Sequence, residues 1–248
     1  MHEFIWELIM NTTSHTLADD LLLLALDDAK GAVHSAASLA LDYGLAGAVL
    51  MELAINNRLM ISGKLIAVAD STSLNHPLLD DALHAIEQSS KRRSAQDWVT
   101  RLPKAVGGLR QRLLDDLVLR GVLAQREDRI LYIFPVTRYP EQQSALEDDI
   151  RARIDRVLLE GGVADERTLL LIRLIKSCNL VSVLYERAQR KPVTARIDQL
   201  TAQDVYSTAI DQAVAGAQAA INAAIVASTV AATSAATASC SAATSANC

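Results

Sequence analysis

Leu109-Arg110-Gln111-Arg112-Leu113-Leu114-Asp115-Asp116-Leu117-Val118-Leu119-Arg120-Gly121-Val122-Leu123 reads as a helix that stops and becomes a strand. Leu109, Leu113, Leu114 and Leu117 recur at helical spacing, and Gly121 suits the left-handed residue that closes a helix. Val122 to Phe134 then predicts a β-hairpin. Its strand residues are Val122 and Leu123 on one side and Ile130 to Phe134 on the other, with Gln125-Arg126-Glu127-Asp128 as the polar tip. Pro135 and Pro140 end it. The same helix, turn and hairpin order occurs at Met51–Val68, where Leu53 and Leu59 answer to Leu117 and Leu123 at equal spacing. The match is too loose to be a repeat.

Outward from these two units the pattern stays helical. Leu17–Asp28 follows Thr16 as N-cap, with Asp19 and Asp20 in the first turn. Ala36–Asn56 is a long apolar stretch in which Gly44 and Gly47 mark a break or a close backbone contact. Arg58–Asp70 predicts a hairpin turning at Ser62-Gly63, Pro77 opens a helix through Ile86, and another surrounds Trp98. Pro103 and Gly107-Gly108 mark a loop. Two or three helices follow from Ser144 to Leu200, separated first at Gly161-Gly162. The predicted fold is mainly α: a helical core with surrounding amphipathic helices and one or two β-hairpins.

The 248 residues are 50% hydrophobic and only 4% aromatic, so the core is aliphatic and favours helices. Half the chain being apolar, with a net charge of −5, excludes a disordered chain, and three cysteines exclude a disulfide scaffold. Cys178 lies among apolar residues and reads as a small buried hydrophobe. No secretion signal is read at residues 1–10, where Glu3 and Glu7 interrupt the apolar residues, and the cysteine usage fits a reducing cytosol. Residues 205–227 read as an Ala-rich helix and 228–248 as a low-complexity, disordered tail; Ala213–Ala232 is long enough to span a membrane but too rich in Ala, Gln, Asn and Ser to favour it.

The charge is uneven. Residues 1–90 hold three bases and twelve acids, net −9; residues 91–112 hold seven bases and one acid, net +6; residues 113–248 hold fourteen bases and sixteen acids, net −2. The basic segment (Lys91, Arg92, Arg93, Arg101, Lys104, Arg110 and Arg112) is either a solvated face balanced by local carboxylates or a footprint for an anionic partner. Arg110-Gln111-Arg112 opens a helix, where free amides favour anions and Arg offers a fork for phosphate. The adjacent carboxylate pairs (Asp19/Asp20, Asp27/Asp28, Asp80/Asp81 and Asp115/Asp116) point about 100° apart and read as solvated helix surface. Pro77 argues against a metal site joining His76 and His84. No nucleophile–base pair and no nucleotide- or phosphate-binding loop motif is present, so the expectation is a non-enzyme without a cofactor. Helix-then-hairpin also suits a winged-helix nucleic-acid binder. The acidic balance and the mixed charges Arg126, Glu127, Asp128 and Arg129 weigh against it, and no nucleic-acid partner is expected.

The ordered set of stretches Leu21–Asp28, Tyr43–Ala54, Pro77–Leu83, Trp98 and Arg110–Leu123, with the hairpin to Pro140, resembles the Golgi phosphoprotein 3 family from about residue 17 to 200. The domain boundaries that follow are an extension at 1–16, the family-like domain at 17–204 and the two tail segments above. The resemblance implies a helical core with an exposed hairpin, and a non-catalytic adaptor on the cytosolic face of a membrane. It implies binding of phosphatidylinositol 4-phosphate, an anionic phospholipid, in a shallow basic pocket, with protein clients. In eukaryotic members these are glycosyltransferase tails. Ala37, Ala46 and Gly107 stand where the family pocket has Trp, Arg and Arg; Arg110 keeps the fourth position. The headgroup residues expected here are therefore Arg110, Arg112, Lys104 and Arg101. Gln125, Arg126, Glu127, Asp128 and Arg129 are the expected hairpin contact, for a membrane or a second copy of the chain. The alternative is a soluble protein–protein interaction module that has lost the lipid site.

Overall fold

The computed structural model describes residues 15–27, 30–62, 65–130, 134–202, 219, 221–224 and 226. These form a mainly helical protein with small antiparallel sheets. The elements are α1 (Leu17–Leu23), β1 (Leu26–Asp27), β2 (Ala32–Val33), α2 (Leu41–Ile55), β3 (Leu59–Ser62), β4 (Leu65–Val68), α3 (Pro77–Glu87) and β5 (Arg93–Ser94). Next come α4 (Ala95–Ala105), α5 (Leu109–Leu119), β6 (Arg126–Ile130), β7 (Phe134–Arg138), α6 (Ser144–Leu158), α7 (Glu166–Ser177), α8 (Val181–Leu184) and α9 (Arg187–Ala202).

The centre is α2. Its residues from Gly44 to Ala54 are buried on every side, as expected of a helix without a polar face. It packs against α1, α3, α4, α5 and α7. The predicted stretch 36–56 is one helix starting at Leu41, after turns at residues 36–40. The glycines are contacts rather than a break. A Cβ on Gly44 would collide with Cys178 Sγ, and one on Gly47 would lie 2.6 Å from Ile221 Cγ1. Ile221 and Ala224, on a short helical segment outside the nine helices named above, are thereby part of the core. The rest of the expected Ala-rich helix and tail lies outside the described residues.

The two helix-to-hairpin units close alike. Asn57 N–H donates to Ala54 O and Arg58 N–H to Leu53 O; Gly121 N–H donates to Val118 O and Val122 N–H to Leu117 O. Asn57 and Gly121 both have positive φ, 58° and 72°. The first unit continues into β3–β4, to which β5 adds a third strand.

In the second unit the hairpin sits later than expected. Ala124 N–H donates to Pro140 O and Leu123 bridges Glu141, so residues 122–125 form the base. Arg126 pairs with Arg138 and Ile130 with Phe134. Gln125, Arg126, Glu127, Asp128 and Arg129 are therefore the base and first strand, not the tip. Residues 131–133 lie outside the described residues.

Candidate functional site

The +6 segment folds as β5, α4 and the start of α5. Ser94 and Asp97 form a capping box on α4, and the Ser94 bonds hold the Asp97 carboxyl below its ordinary range. After α4, Gly107 (φ 75°) and Gly108 (φ 96°) take left-handed backbone, which favours glycine over a side-chain-bearing residue. Gly108 caps α5 without a side-chain bond, and the first turn of α5 carries no acid. That leaves a helix start with free amides beside several cations.

The four expected headgroup residues do not behave alike. Arg110 Nε lies 2.8 Å from Asp42 Oδ1 on α2. Arg112 Nη2 lies 2.7 Å from Asp81 Oδ2 on α3, and its Nη1 donates to Val106 O. Both arginines are thus balanced by partly exposed carboxylates. Arg101 and Lys104 are exposed on α4; Arg101 faces Asp97 electrostatically, and Lys104 has no carboxylate partner among the described residues. Of the pocket positions taken from the resemblance, Ala37 and Ala46 are both 0% exposed and lie in the core. Gly107 is exposed but has no side chain.

Beside this corner, Gln111 Nε2 donates to Tyr139 Oη at the hairpin base. Tyr139 N–H donates to Gly31 O, and a Cβ on Gly31 would press on the Tyr139 backbone. Arg126 Nη2 and Asp128 Oδ2 form an exposed pair at 3.0 Å on β6.

The largest charge cluster was not expected. Asp19 and Asp20 are 0% and 2% exposed, not solvated surface. Arg120 Nη2 lies 3.1 Å from Asp19 Oδ2, and Arg153 Nη2 donates to Asp20 Oδ2 at 3.0 Å. Glu52 accepts from Leu17 N–H at 2.7 Å and pairs with Arg167 at 2.8 Å, while Arg167 also donates to His15 O. Burial pushes the Asp20 carboxyl up to about 6, against the pull of Arg167 and Arg153. Burial, with Arg120 next, pushes the His15 imidazole down. The only signal in the sequence was two acids at a helix N-terminus. Their partners come from α5, α6 and α7, far along the chain. The cluster ties the start of α1 to those helices, and each of its carboxylates Asp19, Asp20 and Glu52 is met by a guanidinium.

Among the described residues no group of three or more His, Cys, Asp or Glu is placed to hold a metal ion. His76 instead N-caps α3, its Nδ1 accepting from Leu79 N–H. No helix among those residues is long and apolar enough to cross a membrane.

Comparison with known proteins then decides the family. The profile described as Golgi phosphoprotein 3 (GPP34) matches residues 17–240. The chain belongs to the Golgi phosphoprotein 3 family. Vacuolar protein sorting-associated protein 74 of Eremothecium gossypii is 27% identical over 168 residues, covering 60% of this chain and 50% of the relative. The protein of the same name from Schizosaccharomyces pombe is 26% identical over 163 residues, covering 58% and 48%. The chain spans about half the length of these curated relatives. This Golgi phosphoprotein 3 family member is mainly helical, with α2 at the centre of its core.

Proposed function

We propose that this chain is a non-catalytic peripheral membrane protein that meets anionic phospholipid headgroups through the α4–α5 corner. Arg101, Lys104, Arg110 and Arg112 supply the charge. The observation that carries the reading is the start of α5: a helix end without a side-chain cap or a first-turn acid, next to the exposed Arg101 and Lys104. Family membership supports it. Because Asp42 and Asp81 already hold Arg110 and Arg112, a headgroup competes with these carboxylates. Attraction to anionic lipid in general is then favoured over strict selection of phosphatidylinositol 4-phosphate.

Co-sedimentation tests this with vesicles of neutral lipid alone, or containing phosphatidylglycerol or phosphatidylinositol 4-phosphate. Binding is expected only to the anionic vesicles, with release by salt and loss in R101E/K104E. Equal behaviour on neutral and anionic vesicles rejects the reading.

A second reading is a protein-contact role for the β6–β7 hairpin, in self-association or client binding. It is favoured by a ribbon that pairs only with itself among the described residues, leaving backbone edges for another strand. Native mass spectrometry of a chain with the hairpin shortened tests it; an unchanged assembly state rejects it.

A further inference from the structure

The basic segment divides in space. Arg101, Lys104, Arg110 and Arg112 belong to the α4–α5 corner, whereas Lys91, Arg92 and Arg93 lie at β5, at the other end of α4. There they border a cleft of about 450 Å³ between β4, the end of α3 and the start of α4. That size is in the range of small-molecule sites.

The cleft has two kinds of wall. The buried Ile66, Ile86 and Trp98 and the half-buried Val68 form a small apolar floor. Lys91, Arg92 and Arg93 supply three cations, and Glu87 one carboxylate. Strand pairing sets Arg93 opposite Ile66, so the sheet itself brings one cation over the apolar surface.

Unlike Arg110 and Arg112, none of these three cations forms an ion pair with a carboxylate among the described residues. Arg93 acts on Asp97 electrostatically, but that carboxylate accepts the Ser94 bonds of the capping box. Trp98 is 4% exposed, and its indole N–H is buried without a hydrogen-bond partner.

Among the lining residues three cations stand against one carboxylate, a net of +2, with Asp97 a further acid near Arg93. A phosphomonoester carries about −1.5 to −2 at neutral pH and offers three acceptor oxygens. A carboxylate would satisfy only half of that charge. We propose that this cleft binds a small phosphomonoester with an apolar body. Lys91, Arg92 and Arg93 hold the phosphate, and Ile66, Val68, Ile86 and Trp98 face the body. The site is separate from the α4–α5 corner and stands whether or not that corner meets lipid.

The test is calorimetric titration of the full chain with 1-naphthyl phosphate, 1-naphthol and glycerol 3-phosphate, beside co-sedimentation with phosphatidic acid and phosphatidylglycerol vesicles. 1-Naphthyl phosphate is expected to bind more tightly than glycerol 3-phosphate, and 1-naphthol not to bind. K91Q/R92Q/R93Q is expected to weaken naphthyl phosphate by at least about tenfold. E87Q is expected to tighten it, which keeps the test open if the triple variant folds poorly. R101Q/K104Q is expected to leave it unchanged. Binding of the soluble probes without vesicle retention that depends on Lys91–Arg93 identifies a free phosphorylated metabolite as the source. Retention on phosphatidic acid that K91Q/R92Q/R93Q weakens more than it weakens retention on phosphatidylglycerol identifies a lipid headgroup. The proposal is overturned if neither soluble phosphate binds and retention on phosphatidic acid does not depend on Lys91–Arg93. It is also overturned if binding of 1-naphthyl phosphate is indifferent to K91Q/R92Q/R93Q and E87Q, or if R101Q/K104Q is the variant that removes it.

Discussion

Helices α2 and α7 meet with no space between Gly44 and Cys178, which makes a sharp test of the packing that centres the fold. A methyl at position 44 collides with Cys178 Sγ and stands 3.2 Å from Leu21 Cδ2 and 3.9 Å from Cys178 Cβ. Only the sulfur is a severe obstacle. In Gly44→Ala, overpacking costs about 1–3 kcal/mol and the gain in helix propensity returns about 1 kcal/mol. The single variant is therefore expected to lose about 1 kcal/mol. Cys178→Ala removes the obstacle and leaves a small void, a loss also of about 1 kcal/mol. In the double variant the new methyl occupies the vacated space, so the two losses do not add. The expected coupling is about 1 kcal/mol in favour of the double variant. Urea denaturation of all four proteins, followed by circular dichroism, measures it. Additivity within about 0.5 kcal/mol, or a Gly44→Ala protein more stable than the wild type, would refute the packing argument.

Burial pushes the Cys178 thiol up to about 12, so iodoacetamide is expected to label it only after denaturation, as peptide mass spectrometry reports. The raised Asp20 carboxyl gives a pH dependence of definite sign. Between an unfolded value of 3.8 and a folded value of about 6, the native chain holds a proton that the unfolded chain has released. This contribution is complete below the unfolded value and disappears as pH rises through the folded one. The wild type is therefore expected to lose about 2–3 kcal/mol relative to Asp20→Asn between about pH 4 and pH 6.5, measured by denaturation at each pH. Thr16→Ala deletes half of a buried capping box and is expected to cost about 1 kcal/mol by the same measurement. Asp42→Asn frees Arg110 from its carboxylate and is expected to tighten binding to anionic vesicles about fivefold, read by co-sedimentation.

Elements whose ends are written locally were legible in the sequence. Thr16 and Asp19 cap α1, Pro77 opens the first turn of α3 and Gly121 closes α5, all signals carried within a few residues of the helix end and all legible in the sequence. What escaped depends on partners from elsewhere. The hairpin shifted because Pro140 and Glu141 pair with Ala124 and Leu123, fixing a register that the alternation of residues 122–134 does not specify. Asp19 and Asp20 look like exposed helix acids until Arg120 and Arg153 arrive from other helices. The basic segment was visible as a sum of charges. Its division into cations held by Asp42 and Asp81 and cations left open around a cleft is a property of the tertiary arrangement.

The contact between Gly47 and Ile221 has a consequence for biosynthesis. The innermost helix is translated early, yet one of the side chains that seals it emerges from the ribosome far later. Until then the nascent chain carries an open seam along α2.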